Sequence, residues 1–193
     1  MKIGSTYLAS ALTAATLAWP AAAQTPPDPR AAIAAQREAM VALQAMNGVW
    51  RGPAWTMLAS GEKHAIVQTE RIGPFLDGSV KVIEGRGYEP DGRTGFNAFG
   101  IISYDTRSRS YSMRSYAQGL AGDFAFTPTA DGYTWEIPAG PMKIRFTAVI
   151  KDGTLREVGD RIAADQEPVR FFEMTLRRIA DSDWPAAGAI TPN

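Results

Sequence analysis

The feature that most constrains this chain is a run of turn signals at nearly even spacing beyond Gly48. They fall at Ser60-Gly61, Asp77-Gly78, Asp91-Gly92, Thr106 to Ser108, Gly119 to Gly122, Asp131-Gly132, Ala139 to Pro141, Asp152-Gly153 and Ala164 to Gln166. Four contain Asp-Gly, which accepts the positive φ that tight hairpin turns demand. Nine turns separate ten segments, and a turn every eight to twelve residues or so is the spacing of an all-β sandwich or barrel.

The segments alternate with a period of two. Ile144, Phe146, Ala148 and Ile150 interleave with Lys143, Arg145, Thr147 and Val149, and Phe172, Met174 and Leu176 with Glu173, Thr175 and Arg177. Such strands have one wet face and one dry face. Ile144, Phe146, Ile150, Phe172, Met174 and Leu176 are therefore expected on a shared inner face. Phe96 to Tyr104 is apolar on both sides, which places that strand beneath the helix. No helix of ten or more residues separates the strands, so a parallel βαβ order is not expected. The pattern predicts a mainly β fold: an antiparallel barrel of eight to ten strands, Gly48 to Ile179, with one amino-terminal α-helix. Closing a meander of hairpins removes its exposed edges.

That helix is expected from Arg30 to Met46. Asp28-Pro29 supplies a cap and a first-turn proline, Ile33, Arg37, Met40 and Leu43 recur at helical spacing, and Asn47-Gly48 can stop the run. Ahead of it, Lys2, the uncharged stretch Tyr7 to Trp19 and the small residues Ala21 to Ala23 read as an export leader over 1–23, cleaved before Gln24. Thirteen residues are too few to cross a core of about 30 Å as a helix. The expected organisation is leader 1–23, linker and helix 24–47, barrel 48–179 and tail 180–193, in a periplasmic or secreted protein with no stable membrane anchor.

Composition narrows the chemistry. Lys+Arg and Asp+Glu are both 20, and a balanced chain lacks the concentrated basic field that nucleic acid requires. Cysteine is absent and His64 is the one histidine. Thiol chemistry and cysteine- or histidine-rich metal sites are thereby excluded, and no cofactor or metal is expected. No phosphate-binding loop is present: Gly85-Arg86-Gly87 is followed by Pro90 rather than a third glycine. His64 beside a turn reads as a surface residue. Of the in-strand charges, alternation turns Arg114, Arg145 and Glu173 outward, while Glu157 lies in a stretch that alternates poorly.

Aromatic residues are concentrated in the strands, with 16 of them between Trp50 and Phe172. They can fill a core, or line a pocket in a barrel wide enough to hold one. Trp50, Tyr111, Met113, Trp135, Phe146, Phe172 and Met174 are the candidate lumen residues.

Gly48-Val49-Trp50-Arg51-Gly52 resembles the opening G-x-W-x-G of calycin-type barrels, which include lipocalins, fatty-acid-binding proteins and nitrobindin-like haem barrels. The wider pattern is similar to a family of bacterial exported lipocalin-like barrels. Its pieces are Thr69-Glu70-Arg71, Leu76-Asp77-Gly78, Ile102-Ser103-Tyr104-Asp105, Tyr133-Thr134-Trp135-Glu136, Lys143-Ile144-Arg145-Phe146 and Phe172-Glu173-Met174-Thr175-Leu176. The resemblance implies a barrel with a possible internal cavity and no particular activity. The haem-binding relatives carry a proximal histidine late in the barrel, and none follows His64 here.

Two functions fit this reading. One is an exported binding protein holding a neutral or weakly acidic apolar molecule, oriented by tyrosine hydroxyls or an inward arginine. The other is a filled barrel acting through its surface or its helix. An enzyme would have to use carboxylates and tyrosines, such as Glu157 with Tyr116. A void of a few hundred cubic ångströms separates the first reading from the second. The oligomeric state stays open.

Overall fold

The computed structural model describes residues 28–184. The leader at 1–23 and the tail beyond 184 lie outside the described residues. Ten antiparallel strands close into one barrel in simple up-and-down order. They are β1 (Gly48–Met57), β2 (Lys63–Phe75), β3 (Val80–Tyr88), β4 (Thr94–Asp105), β5 (Ser110–Ala117), β6 (Leu120–Thr129), β7 (Gly132–Ala139), β8 (Met142–Lys151), β9 (Thr154–Ala163) and β10 (Val169–Ala180). Each strand pairs with its neighbours in sequence, and β1 closes on β10. All nine predicted turns join consecutive strands, so the strand count falls at the top of the expected range. Among the described residues, no helix is long and apolar enough to cross a membrane.

The helix α1 (Pro29–Val41) begins as expected, with the Asp28 carboxylate accepting from the Arg30 backbone N–H at 3.0 Å. It stops earlier than expected, and Gln44–Met46 forms a separate 3₁₀ turn. The cause lies in the spacing of Met40, Leu43 and Met46. Bonds from the N–H of Leu43 to the Met40 carbonyl and of Met46 to the Leu43 carbonyl are i to i−3. Side chains three apart eclipse in 3₁₀ geometry, so all three residues point into one end of the barrel, where they are buried. The α1 segment lies against β3 and β4. The Gln36 amide donates to the Tyr104 carbonyl at 3.3 Å and the Tyr111 hydroxyl to the Ala39 carbonyl at 2.8 Å.

This end forms a closed floor. Trp50, Ile72, Ile102, Leu155 and Leu176 meet Leu43 and Met46 there, each at 1% exposure or less. The Trp50 indole donates to the Met46 carbonyl at 2.9 Å, and the Arg178 guanidinium lies 6.0 Å over its ring. Gly52 explains the second glycine of the opening motif. A Cβ on it would come within 2.1 Å of the Thr175 backbone oxygen, so only glycine lets β10 approach β1 this closely. Lys81 is buried at the same end and donates to the Asn47 side-chain oxygen. Burial pushes its ammonium down to about 8. On the outside of the wall Trp184 covers Phe75 and Phe99, with centroids at 5.5 and 6.2 Å. It thus covers the second apolar side of β4.

Candidate functional site

Above the floor the described residues do not fill the barrel. A cavity of about 490 Å³ occupies the upper lumen and reaches the rim at Leu58, His64, Glu89 and Gly95. Ten strands make a wider ring than the eight that side chains alone can fill.

Five of the seven expected lumen residues lie on its wall: Met113, Trp135, Phe146, Phe172 and Met174. Trp135 stacks on Phe146 with centroids 4.1 Å apart and planes 6° from parallel. Phe171 and Phe172 meet the Phe146 ring edge-on at 5.9 and 5.8 Å. The other two expectations are corrected by depth. Trp50 is enclosed beneath the cavity by Met46, and Tyr111 is spent on the Ala39 carbonyl. Both face inward, but at the level of the helix.

The polar part of the site centres on two carboxylates that alternation does not single out as a pair. On β2, Gln68 and Glu70 share the inward face with Ile66 and Ile72. The register sets Gln68 opposite Gly87 and Glu70 opposite Gly85. A Cβ on Gly85 would stand 2.9 Å from one Glu70 carboxyl oxygen and 3.1 Å from the other, so the glycine makes the space in which that carboxyl lies. The Gln68 amide donates to Glu70 at 2.7 Å. From β9, Glu157 also faces the lumen, beside Tyr133 and Trp135 of β7.

Both carboxyls are buried, and burial is the main cause of their raised pKa values. Glu70 rises to about 8. Gln68 counteracts this, and the nearby charges of Glu157 and Glu84 add to it. Glu157 rises to about 7, held back by the neighbouring Tyr133 and Trp135. The buried Tyr133 hydroxyl is pushed well above the usual phenol range, first by burial and then by Glu157.

Arg114, Arg145 and Glu173 do face outward, pairing with Asp123, Glu136 and Arg156. The Glu157–Tyr116 pair considered for an enzyme does not form. Tyr116 lies exposed outside the wall beside Arg114, and Tyr133 is the phenol that meets Glu157. No arginine or lysine lines the cavity among the described residues, so the expected inward arginine is absent. His64 is at the rim, its Nε2 2.9 Å from the Glu89 carboxylate. The described residues hold no group of three or more histidine, cysteine, aspartate or glutamate side chains that could ligate a metal.

No protein-family model matches the chain, and no curated protein matches it. Among solved structures it is similar to the crystal structure of Rv2717c from M. tuberculosis. The TM-score is 0.55 at 12% identity, over 72% of this chain and 96% of that one. At that identity the likeness is one of fold: an antiparallel β-barrel compatible with an internal ligand.

Proposed function

We propose that this chain is an exported small-molecule-binding protein of the lipocalin-like, calycin type, holding an apolar guest in the upper lumen. The observation that carries the reading is the cavity of about 490 Å³, walled by Trp135, Phe146 and Phe172 with a few convergent polar groups. That size and lining are those of small-molecule sites, whereas a filled barrel would leave only voids near the size of a water. Export rests on Lys2, the apolar run to Trp19 and Ala21 to Ala23, calycin kinship on the motif at Gly48 to Gly52, and likeness to the exported bacterial barrels on the order and spacing of the pieces from Thr69-Glu70-Arg71 to Phe172-Glu173-Met174-Thr175-Leu176.

A guest burying about 300 Å² of apolar surface gains roughly 7 kcal/mol, part of which is lost with its translational freedom. Micromolar affinity is the expected range. Titration with the neutral fluorophore N-phenyl-1-naphthylamine tests this. Saturable binding is expected, weakened severalfold in Trp135→Ala and Phe172→Ala. No binding below about 100 μM (weaker than about −5.5 kcal/mol) would overturn it. Intact mass of protein from the exported fraction should start at Gln24.

A further inference from the structure

We propose that the cavity takes apolar amines, seating the ammonium head between Glu70 and Glu157 and the hydrocarbon body against Trp135, Phe146 and Phe172. This rests on the binding reading above and names the ligand class.

The argument begins with how the strand carboxylates are partnered. Outside the barrel, Glu84 accepts from Arg86 at 3.0 Å, Glu136 from Arg145 at 2.6 Å, Asp160 from Arg170 at 2.7 Å and Glu173 from Arg156 at 3.0 Å. Inside, where burial makes an opposite charge most valuable, Glu70 accepts from the neutral Gln68 amide and Glu157 lies beside Tyr133 and Trp135, with no cationic partner for either among the described residues. Two buried carboxyls thus face a lumen that no arginine or lysine lines among the described residues. A guest's ammonium supplies the missing charge. The aromatic faces around it attract the same cation through their ring quadrupoles.

Competing ligand classes fit less well. A carboxylate head would face two acids and no arginine. Calcium or magnesium wants about six oxygen ligands and zinc about four ligands, and the described residues gather no group of even three His, Cys, Asp or Glu side chains. The recessed placement of the pair also favours a head-group seat. Gly85 and Gly87 recess the Gln68–Glu70 pair into the wall, which leaves the lumen beside it free.

Protons follow from the same geometry. The charged and titratable groups around the pair are Glu84 on the far face of β3, Tyr133 on β7, and the His64–Glu89 pair at the rim. Lys81 lies lower on β3 and is turned to Asn47. With the carboxyls raised to about 8 and about 7 when the lumen is empty, an arriving ammonium draws out their ionised forms. Amine binding near pH 7 therefore releases protons and tightens from pH 6 to 8. It weakens again once the amine deprotonates near pH ~10.

The experiment compares 4-phenylbutylamine, 4-phenylbutanol and 4-phenylbutyrate, by calorimetry and by displacement of N-phenyl-1-naphthylamine at pH 7.5. The amine is expected to bind about tenfold tighter than the alcohol, with the butyrate weakest. Heats measured in phosphate and in Tris should differ in the sense of proton release. Glu70→Gln and Glu157→Gln, checked by thermal melting, should erase most of the amine's advantage over the alcohol. If the naphthylamine and the alcohol bind while the amine gains nothing, or the Gln variants keep its advantage, the amine assignment fails and the binding reading stands. If none of the four compounds binds, both fail.

Discussion

The two ends of this barrel are built from the same alternating strands and differ in what closes them. At the floor, α1 and its 3₁₀ turn insert Met40, Leu43 and Met46 among Trp50, Ile72, Ile102, Leu155 and Leu176, and nothing remains open. At the mouth the strands are joined by short hairpins, no element among the described residues plugs the ring, and Trp135, Phe146 and Phe172 keep part of their surface on the void. Alternation decides that a side chain points inward. Whether it meets a partner there depends on a segment that is not part of the sheet. The wide ring needs a plug, and α1 with its 3₁₀ turn fills only one end.

The largest effect that could break this contrast is at the plug. Leu43→Ala should cost about 4 kcal/mol, the range for a leucine removed from a closed core, seen as a lower urea midpoint with an unchanged slope. A loss under about 1.5 kcal/mol would mean that the floor is as loose as the lumen.

Next in size is a gain. Glu70 has a raised folded pKa, so its neutral form is favoured in the native state and stability falls as pH rises from about 4.5 through about 8. Glu70→Gln removes that loss. It should be near neutral at pH 5 and stabilising by about 3 kcal/mol at pH 9, scaled from roughly 1.4 kcal/mol per tenfold change in proton affinity and reduced for relaxation of the site. Lys81 acts in the opposite sense, since a lowered lysine pKa makes stability rise between about 8 and the ordinary 10.5. It is present in both proteins and drops out of their difference. Chemical denaturation at the two pH values decides, and an equal effect at both would place Glu70 in water rather than in the dry wall.

Much of this contrast is invisible to sequence periodicity, for one physical reason. Alternation assigns a face to each strand residue but no height along the barrel axis. Turn chemistry locates every hairpin, and the dry faces of β8 and β10 lie inward as the period of two requires. Trp50 and Tyr111 also point inward, yet they belong to the floor, because height depends on strand stagger and on where the helix docks. Glu70 is hidden by a different rule, that a charge in a strand faces solvent. Its signal lies on the neighbouring strand. Gly85 and Gly87 share the parity of the inward Ile83 and face Glu70 and Gln68 across the ladder, an exchange of bulk between strands that shows only once they are paired. The early helix stop is likewise written in the three-residue spacing of Met40, Leu43 and Met46.

A smaller loss should mark the lumen wall. Phe172→Ala removes a ring that touches Phe146 at its edge but whose other side meets empty space. The new space joins an existing void, so the cavity penalty of a packed core is largely missing. A cost of about 1–2 kcal/mol is expected, against about 3–5 for a closely packed phenylalanine. A value in the packed range would show that the upper lumen is filled in solution.

The smallest effect, and the sharpest on the polar wall, is Gly85→Ala. The added Cβ would lie 2.9 Å from a Glu70 carboxyl oxygen and 3.2 Å from the Gln68 amide nitrogen. These are ends of side chains beside an open lumen, so Glu70 can swing away without moving the backbone. What is lost is the 2.7 Å bond from Gln68, about 1 kcal/mol for one hydrogen bond. The same substitution made in a Glu70→Ala background has no carboxyl to displace and should be nearly silent, which gives a coupling of about 1 kcal/mol in a double-mutant cycle. If Gly85→Ala instead costs several kcal/mol in both backgrounds, the methyl is meeting backbone that cannot yield. The wall around Glu70 would then be packed as tightly as the floor.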